Sequence, residues 1–431
     1  MQQEARPLML VNAASLASAT ILTSGLGVVF WALAARLYDP AGIGLANAQI
    51  SSATLVATFA SLNLGSMLLL YLPRAGRHTR WILVRAHVVV IALSFVAGAL
   101  FVVLGLGEDY LSDPVSIAVF IVAVPSLAIF MEQAAILLAM GAGPAVTVEN
   151  AVFAIAKMAL LPVFAGLALA SGIFASWIVP NVLVVVAVAY FTFGKLVPRQ
   201  ERAGESIELP PRRHLWPQMI KLYLSYVASQ LTVLAIPLVI ISTLGAQQNG
   251  YLTMAWLIGV AFGALIVNIT QSFSQDVRKG HAITMVALKR LAVMLGVIGI
   301  GGGAITVIAA PLILHIMAPG YASASTGVLR LIGIAVPLQA IWLAMAAFLW
   351  LENRIGWLAI GSGAIAAIAL GCTFVLAPEL GIASAGVGSL AGFGSLALVS
   401  IVPLISRVRR VKAGHGDDWV WAGDRPPTPS S

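Results

Sequence analysis

Apolar runs of about 20 residues, each closed by a short polar break, recur from Leu8 to about Ser406. A run of that length, continued as a helix, crosses the roughly 30 Å hydrocarbon core of a bilayer. The runs predict helices over 8–35, 43–72, 81–106, 115–139, 145–170, 173–194, 218–244, 250–274, 284–310, 323–351, 355–377 and 382–406. The breaks are rich in turn residues: Asp39-Pro40 with Gly42 and Gly44, Gly141 to Pro144, Gly245 to Gly250, Ala318-Pro319-Gly320, and Pro378 to Gly381. The fifth and sixth runs are parted only by Ala170-Ser171-Gly172. The expected fold class is an all-α polytopic membrane protein of twelve spans in two six-helix lobes. It divides into 1–194 (helices one to six), a polar linker at 195–217, 218–406 (helices seven to twelve) and a polar tail at 407–431, expected to be disordered.

Charge placement fixes an expected orientation. With the N-terminus in the cytoplasm and strict alternation, all of the 24 Lys and Arg except Arg36, Lys157 and Arg330 fall on the cytoplasmic side. The opposite loops carry Asp39, Glu108, Asp109, Asp113 and Glu379. A miscounted helix would invert every later loop, so this bias supports both termini being cytoplasmic and a multi-pass location in the cell membrane. The first span is too long for a signal peptide, and Arg36-Leu37-Tyr38-Asp39-Pro40 follows it in place of a small-residue cleavage site.

Composition agrees: 60% of the 431 residues are hydrophobic and 9% charged, against about 25% charged in a soluble domain. The net charge of +8 reads here as topology and contact with anionic lipid headgroups rather than nucleic acid. Cys372 is the single cysteine and the six histidines are scattered, so neither a disulfide nor a metal cluster is expected. There is no GxxxxGK[ST], GxSxG or HExxH stretch, and the non-cytoplasmic loops are too short to build a catalytic domain. No catalytic residue, cofactor or enzyme activity is expected.

Ionisable groups inside the spans cost roughly 2.5–3.5 kcal/mol each on insertion scales and mark function or a partner. Lys157 is near the middle of the fifth helix, with Glu149 eight residues before it on the same face. Glu132 lies at a similar depth to Glu149 on the fourth helix, across the tight Gly141–Pro144 turn. Two readings stand: an ion pair locking the hairpin, or Lys157 on a cavity wall meeting an anionic substrate, with the carboxylates open to proton coupling. Arg330, about two turns into the tenth helix, either snorkels to headgroups or joins the cavity. Arg36, beside Asp39, caps its helix or touches substrate. Arg74, Arg77, Arg80 and Arg85 set topology, or line the place where substrate enters from the cytoplasm. Bends at Pro237 and Pro337 would open and close a vestibule between the lobes.

Phe30-Trp31-Ala32-Leu33-Ala34-Ala35-Arg36-Leu37-Tyr38-Asp39-Pro40-Ala41-Gly42-Ile43-Gly44, followed by Leu62-Asn63-Leu64-Gly65 and Leu72-Pro73-Arg74, resembles the first hairpin of the polysaccharide flippases. These belong to the multidrug/oligosaccharidyl-lipid/polysaccharide (MOP) exporter superfamily. The likeness covers about 70 residues; the rest matches in architecture alone. It implies a V-shaped pair of six-helix lobes (MOP/MATE-like), alternating access, and a polyprenyl-diphosphate-linked oligosaccharide as cargo, moved from inner to outer leaflet for polysaccharide biosynthesis. A lipid-linked glycan partner follows, with a polysaccharide polymerase or glycosyltransferases as protein partners. Lys157, Arg330 and Arg36 are the cations available to a diphosphate. A MATE-type or major-facilitator-type small-molecule antiporter is the alternative. The major-facilitator loop pattern G-x-x-x-D-R-x-G-R-R fails where Leu69 and Pro73 stand.

Overall fold

The helix boundaries are chemically marked. The Asp39 carboxylate accepts the Gly42 amide at 2.9 Å, and Pro40 fills the first turn, where its missing N–H costs nothing. Asp113 and Pro114 repeat the device, with Asp113 Oδ1 accepting from Val115 and Ser116. These amides hold the Asp113 carboxyl below the usual carboxylate range. Gly245 turns the chain with a φ of +87° that a side chain would resist.

The computed structural model describes residues 25–167, 171–203, 212–278 and 283–414. Its helices are α1 (Gly25–Leu37), α2 (Pro40–Ala60), α3 (Leu64–Tyr71), α4 (Thr79–Val103), α5 (Pro114–Ala139), α6 (Gly143–Gly166), α7 (Gly172–Phe191), α8 (Val197–Ala203), α9 (Arg212–Leu244), α10 (Ala246–Arg278), α11 (Met285–Gly296), α12 (Gly303–Met317), α13 (Ala322–Leu351), α14 (Ile355–Leu380) and α15 (Ala383–Lys412). Eleven spans are long and apolar enough to cross a membrane among the described residues. Only α1 represents the first predicted span, whose residues 8–24 lie outside them.

Three expectations are corrected. The predicted helix 43–72 breaks after Ala60: Leu62 and Asn63 take positive φ, and α3 begins anew at Leu64. Part of the predicted linker 195–217 is helix. The chain runs on from α7 through a π-helical turn (Thr192–Leu196) into α8, where Leu196 and Val197 find apolar neighbours and are buried, and α9 starts at Arg212. Residues 204–211 lie outside the described segments, as does the tail beyond 414. The tail's first residues are ordered helix: α15 extends to Lys412, with Arg407 and Val411 buried.

The connections separate two ends. Asp39, Glu108, Asp109 and Glu379 lie at one, the acidic end. The other, basic end carries the 72–80 turns, α8, the α13–α14 turn and the last residues of α15. There Gln200 Nε2 donates to Leu72 O at 2.6 Å, and Arg407 grips Glu352 through Nε–Oε1 (2.7 Å) and Nη2–Oε2 (2.6 Å).

Contacts between α2–α8 and α9–α15 run almost wholly through α2, which packs on α10 and on α9. Near the acidic end, Asn249 Nδ2 donates to Gly44 O at 2.8 Å in a buried contact. A Cβ on Gly44 would collide with the Ala246 carbonyl, and one on Gly250 with the Pro40 carbonyl, so two glycines bring the backbones together. Further along α2, Tyr223 Oη donates to Phe59 O at 3.0 Å.

Candidate functional site

Glu149, Phe153 and Lys157 follow one another at intervals of four on α6 and share a face. That face packs on α7, and all three residues are buried. The Lys157 ammonium stands 3.6 Å from the Trp177 ring centroid, 4.9 Å from Phe153 and 5.0 Å from Phe30. The rings brace one another edge to face: Phe30 with Trp177 at 5.3 Å, Phe153 with Trp177 at 5.8 Å, Phe30 with Trp31 at 5.6 Å. Lys157 is only 3% exposed, and among the described residues no carboxylate lies within 4 Å of it. A desolvated cation over a ring gains about 2 kcal/mol, enough to offset most of the roughly 2.5–3.5 kcal/mol insertion cost. α1, α6 and α7 therefore hold the Lys157 amine in an aromatic box.

The expected ion pair is not formed. Glu132, on α5, sits against the start of α3: a Cβ on Gly65 would stand 3.7 Å from Glu132 Oε2. The Leu64 amide already donates to Ser61 O at 3.0 Å, so at this helix start the buried carboxyl faces the Gly65 backbone and the positive end of the helix dipole. Tyr226 of α9 sits beside Glu132 and Thr58. Glu149 makes no such contact: both its oxygens are buried without a hydrogen-bond partner among the described residues.

The other predicted residues are dispersed. Arg36 Nη2 donates to Ile316 O at 3.3 Å, near the C-terminus of α12, where a cation suits the helix dipole. Asp39 meanwhile caps α2. Arg330 is exposed, and its Nε donates to Val307 O of α12 at 3.2 Å. Ile332 of α13 packs on Gly259 of α10. Two residues back along a helix is a turn of about 200°, so Arg330 faces away from α10, the helix that meets α2. Arg330, Arg36 and Lys157, expected as cavity cations, are not brought together: each lies against a different pair of elements. Arg74, Arg77, Arg80 and Arg85 are exposed at the basic end. The Arg80 amide donates to Glu201 of α8 at 3.3 Å, and Arg85 stacks on Trp81 at 3.8 Å.

Sequence reasoning missed the rings around Lys157. The i, i+4 spacing of Phe153 was a usable signal; Phe30 and Trp177 lie on other helices and gave none. It also missed Glu352, an acid at the basic end whose position hinted at a cation partner. Among the described residues no group of three His, Cys, Asp or Glu is arranged to hold a metal.

No family model matches the chain, and no curated protein matches it in sequence. Solved structures do match in fold. An outward-facing multidrug resistance MATE family transporter of the MOP superfamily superposes with a TM-score of 0.57 at 15% identity, covering 93% of this chain and 96% of that one. An inward-facing MATE transporter gives 0.55 at 16% identity, over 92% and 95%. A MATE in complex with MaD5 gives 0.56 at 15%, over 93% and 94%. The chain has a MATE-like, all-helical membrane fold.

Proposed function

We propose that the chain is an alternating-access exporter whose two halves rock about α2. The seam carries this reading. Two bundles that, α1 aside, touch mainly along α2, with glycine backbones in contact near the acidic end, can part without breaking either core. Likeness to both inward- and outward-facing transporters supports it.

The cargo on this reading is a polyprenyl-diphosphate-linked oligosaccharide, carried to the outer leaflet of the cell membrane with both termini cytoplasmic. Two features support that finer statement. The run from Phe30 to Gly44 is similar to the polysaccharide flippases, and it includes Phe30, part of the box. Lys157 is a buried amine with no anionic partner among the described residues, available as an ammonium to a diphosphate once the α1 rings move aside. Glu149 favours a second reading, a small-molecule antiporter, because a buried carboxyl with no partner suits coupling to a cation.

Deleting the gene and following lipid-linked glycan separates them. Under the first reading, glycan accumulates on the cytoplasmic leaflet, wild type clears it, and Lys157→Ala inserts normally but clears it roughly tenfold more slowly. Normal glycan export in the deletion strain, with new sensitivity to cationic drugs that Glu149→Gln fails to rescue, replaces the first reading with the second.

A further inference from the structure

Pro311 has no N–H, so the carbonyl four residues before it, that of Val307, loses its partner within α12. Arg330 supplies the missing donor through Nε. That uses one donor of five. Arg330 makes no other hydrogen bond and no ion pair among the described residues, and its guanidinium is exposed.

Beside it, α12 and α13 frame a crevice of about 320 Å³ walled by apolar groups. Its floor is low because Gly303 and Gly333 press together; a Cβ on Gly303 would stand 2.6 Å from Gly333 O. Ala304 and Pro337 line it, and Ile308 (79% exposed) and Ile334 (46%) form its rim. Apolar side chains this exposed on a spanning segment face lipid.

Depth completes the geometry. Arg330 lies 11 residues past Pro319, the first residue of its 33-residue span, or about 16 Å from the acidic end at 1.5 Å per residue. A helix of that length, about 50 Å, overhangs a 30 Å hydrocarbon core by roughly 10 Å at each end. The Arg330 backbone is then about 6 Å below the headgroups, within reach of an arginine stem.

We propose that this is a binding site for one anionic phospholipid of the acidic-end leaflet. The phosphate takes the free Nη donors of Arg330, and an acyl chain lies in the α12–α13 crevice. The charge complementarity names the occupant: a guanidinium with unused donors at headgroup reach, above a slot that accepts only hydrocarbon. The site faces away from α10 and is separate from the Lys157 box, so it does not depend on which cargo the exporter carries.

Native mass spectrometry of the detergent-purified full chain tests it, with phosphatidylglycerol and phosphatidylcholine as probes. Wild type is expected to take up phosphatidylglycerol at roughly tenfold lower concentration than phosphatidylcholine. Arg330→Gln is expected to abolish that preference. Ala304→Phe, which fills the crevice and keeps the guanidinium, is expected to lower occupancy by both lipids. It also keeps the test open if Arg330→Gln folds poorly after losing its hold on Val307. Equal affinity for the two lipids, or undiminished phosphatidylglycerol binding in Ala304→Phe, overturns the proposal. So does glycerol phosphate competing as well as the whole lipid, since the acyl chain would then contribute nothing.

Discussion

Two prolines show how single residues are accommodated in this bundle. Pro237 leaves the carbonyl of Val233 without its α9 partner, and the Trp256 indole of α10 donates to that carbonyl at 2.9 Å. Pro311 leaves Val307 O, and Arg330 takes it. In hydrocarbon, water cannot fill such gaps, so a neighbouring helix must. Trp256→Phe keeps the ring and removes the donor. It is expected to cost about 1 kcal/mol, read as a lower thermal midpoint in detergent. In a Pro237→Ala background the Val233 carbonyl regains its helical amide, and the same substitution is expected to cost much less. An equal cost in both backgrounds would show that packing, not the hydrogen bond, is what Trp256 supplies. The bend expected at Pro237 is thus also a docking point for α10.

At the scale of elements, α13 and α15 are tied at the basic end by one bidentate ion pair. Glu352 follows α13 directly and Arg407 sits in the penultimate turn of α15, with its Nη1 also donating to Pro403 O at 3.2 Å. Arg354 approaches the same carboxylate at 3.5 Å but is mostly exposed. Charge-assisted hydrogen bonds sheltered from water count for more than exposed ones. Glu352→Gln is expected to destabilise the chain by about 2 kcal/mol and Arg354→Gln to leave it within about 0.5 kcal/mol of wild type. Thermal melts of the two variants compare them directly; similar losses would mean that the network, not the buried pair, carries the tie.

For the whole molecule, glycine backbones press α2 against α10 near the acidic end. Gly250 has no room for a side chain against the Pro40 carbonyl, and backbone cannot swing aside as a side chain can. Gly250→Ala is therefore expected to favour a state parted at the acidic end. Spin labels at positions 109 and 379, both exposed and on opposite halves, are expected to report a longer mean distance in the variant, with Cys372 replaced in both proteins. An unchanged distance distribution would mean that this glycine contact does not hold the acidic end shut.

The sequence alone determined most of the spans, the breaks marked by turn residues, and the segregation of basic from acidic ends, but not the break at Leu62-Asn63 or the helix within the linker. The bilayer enforces those: about 20 apolar residues per crossing, with charge left at the ends. It also marked Lys157, Glu132, Glu149 and Arg330 as exceptions, because each violates the apolar rule by itself. Their partners were decided by the tertiary structure. Spans apolar on every side carry no stripe to say which face meets which neighbour, so helix rotation is set by packing. Lys157 turned to Trp177, Glu132 to the start of α3 at Gly65, and Arg330 to a carbonyl that Pro311 set free. Each is a long-range choice, and the periodicity that reveals a helix does not encode it.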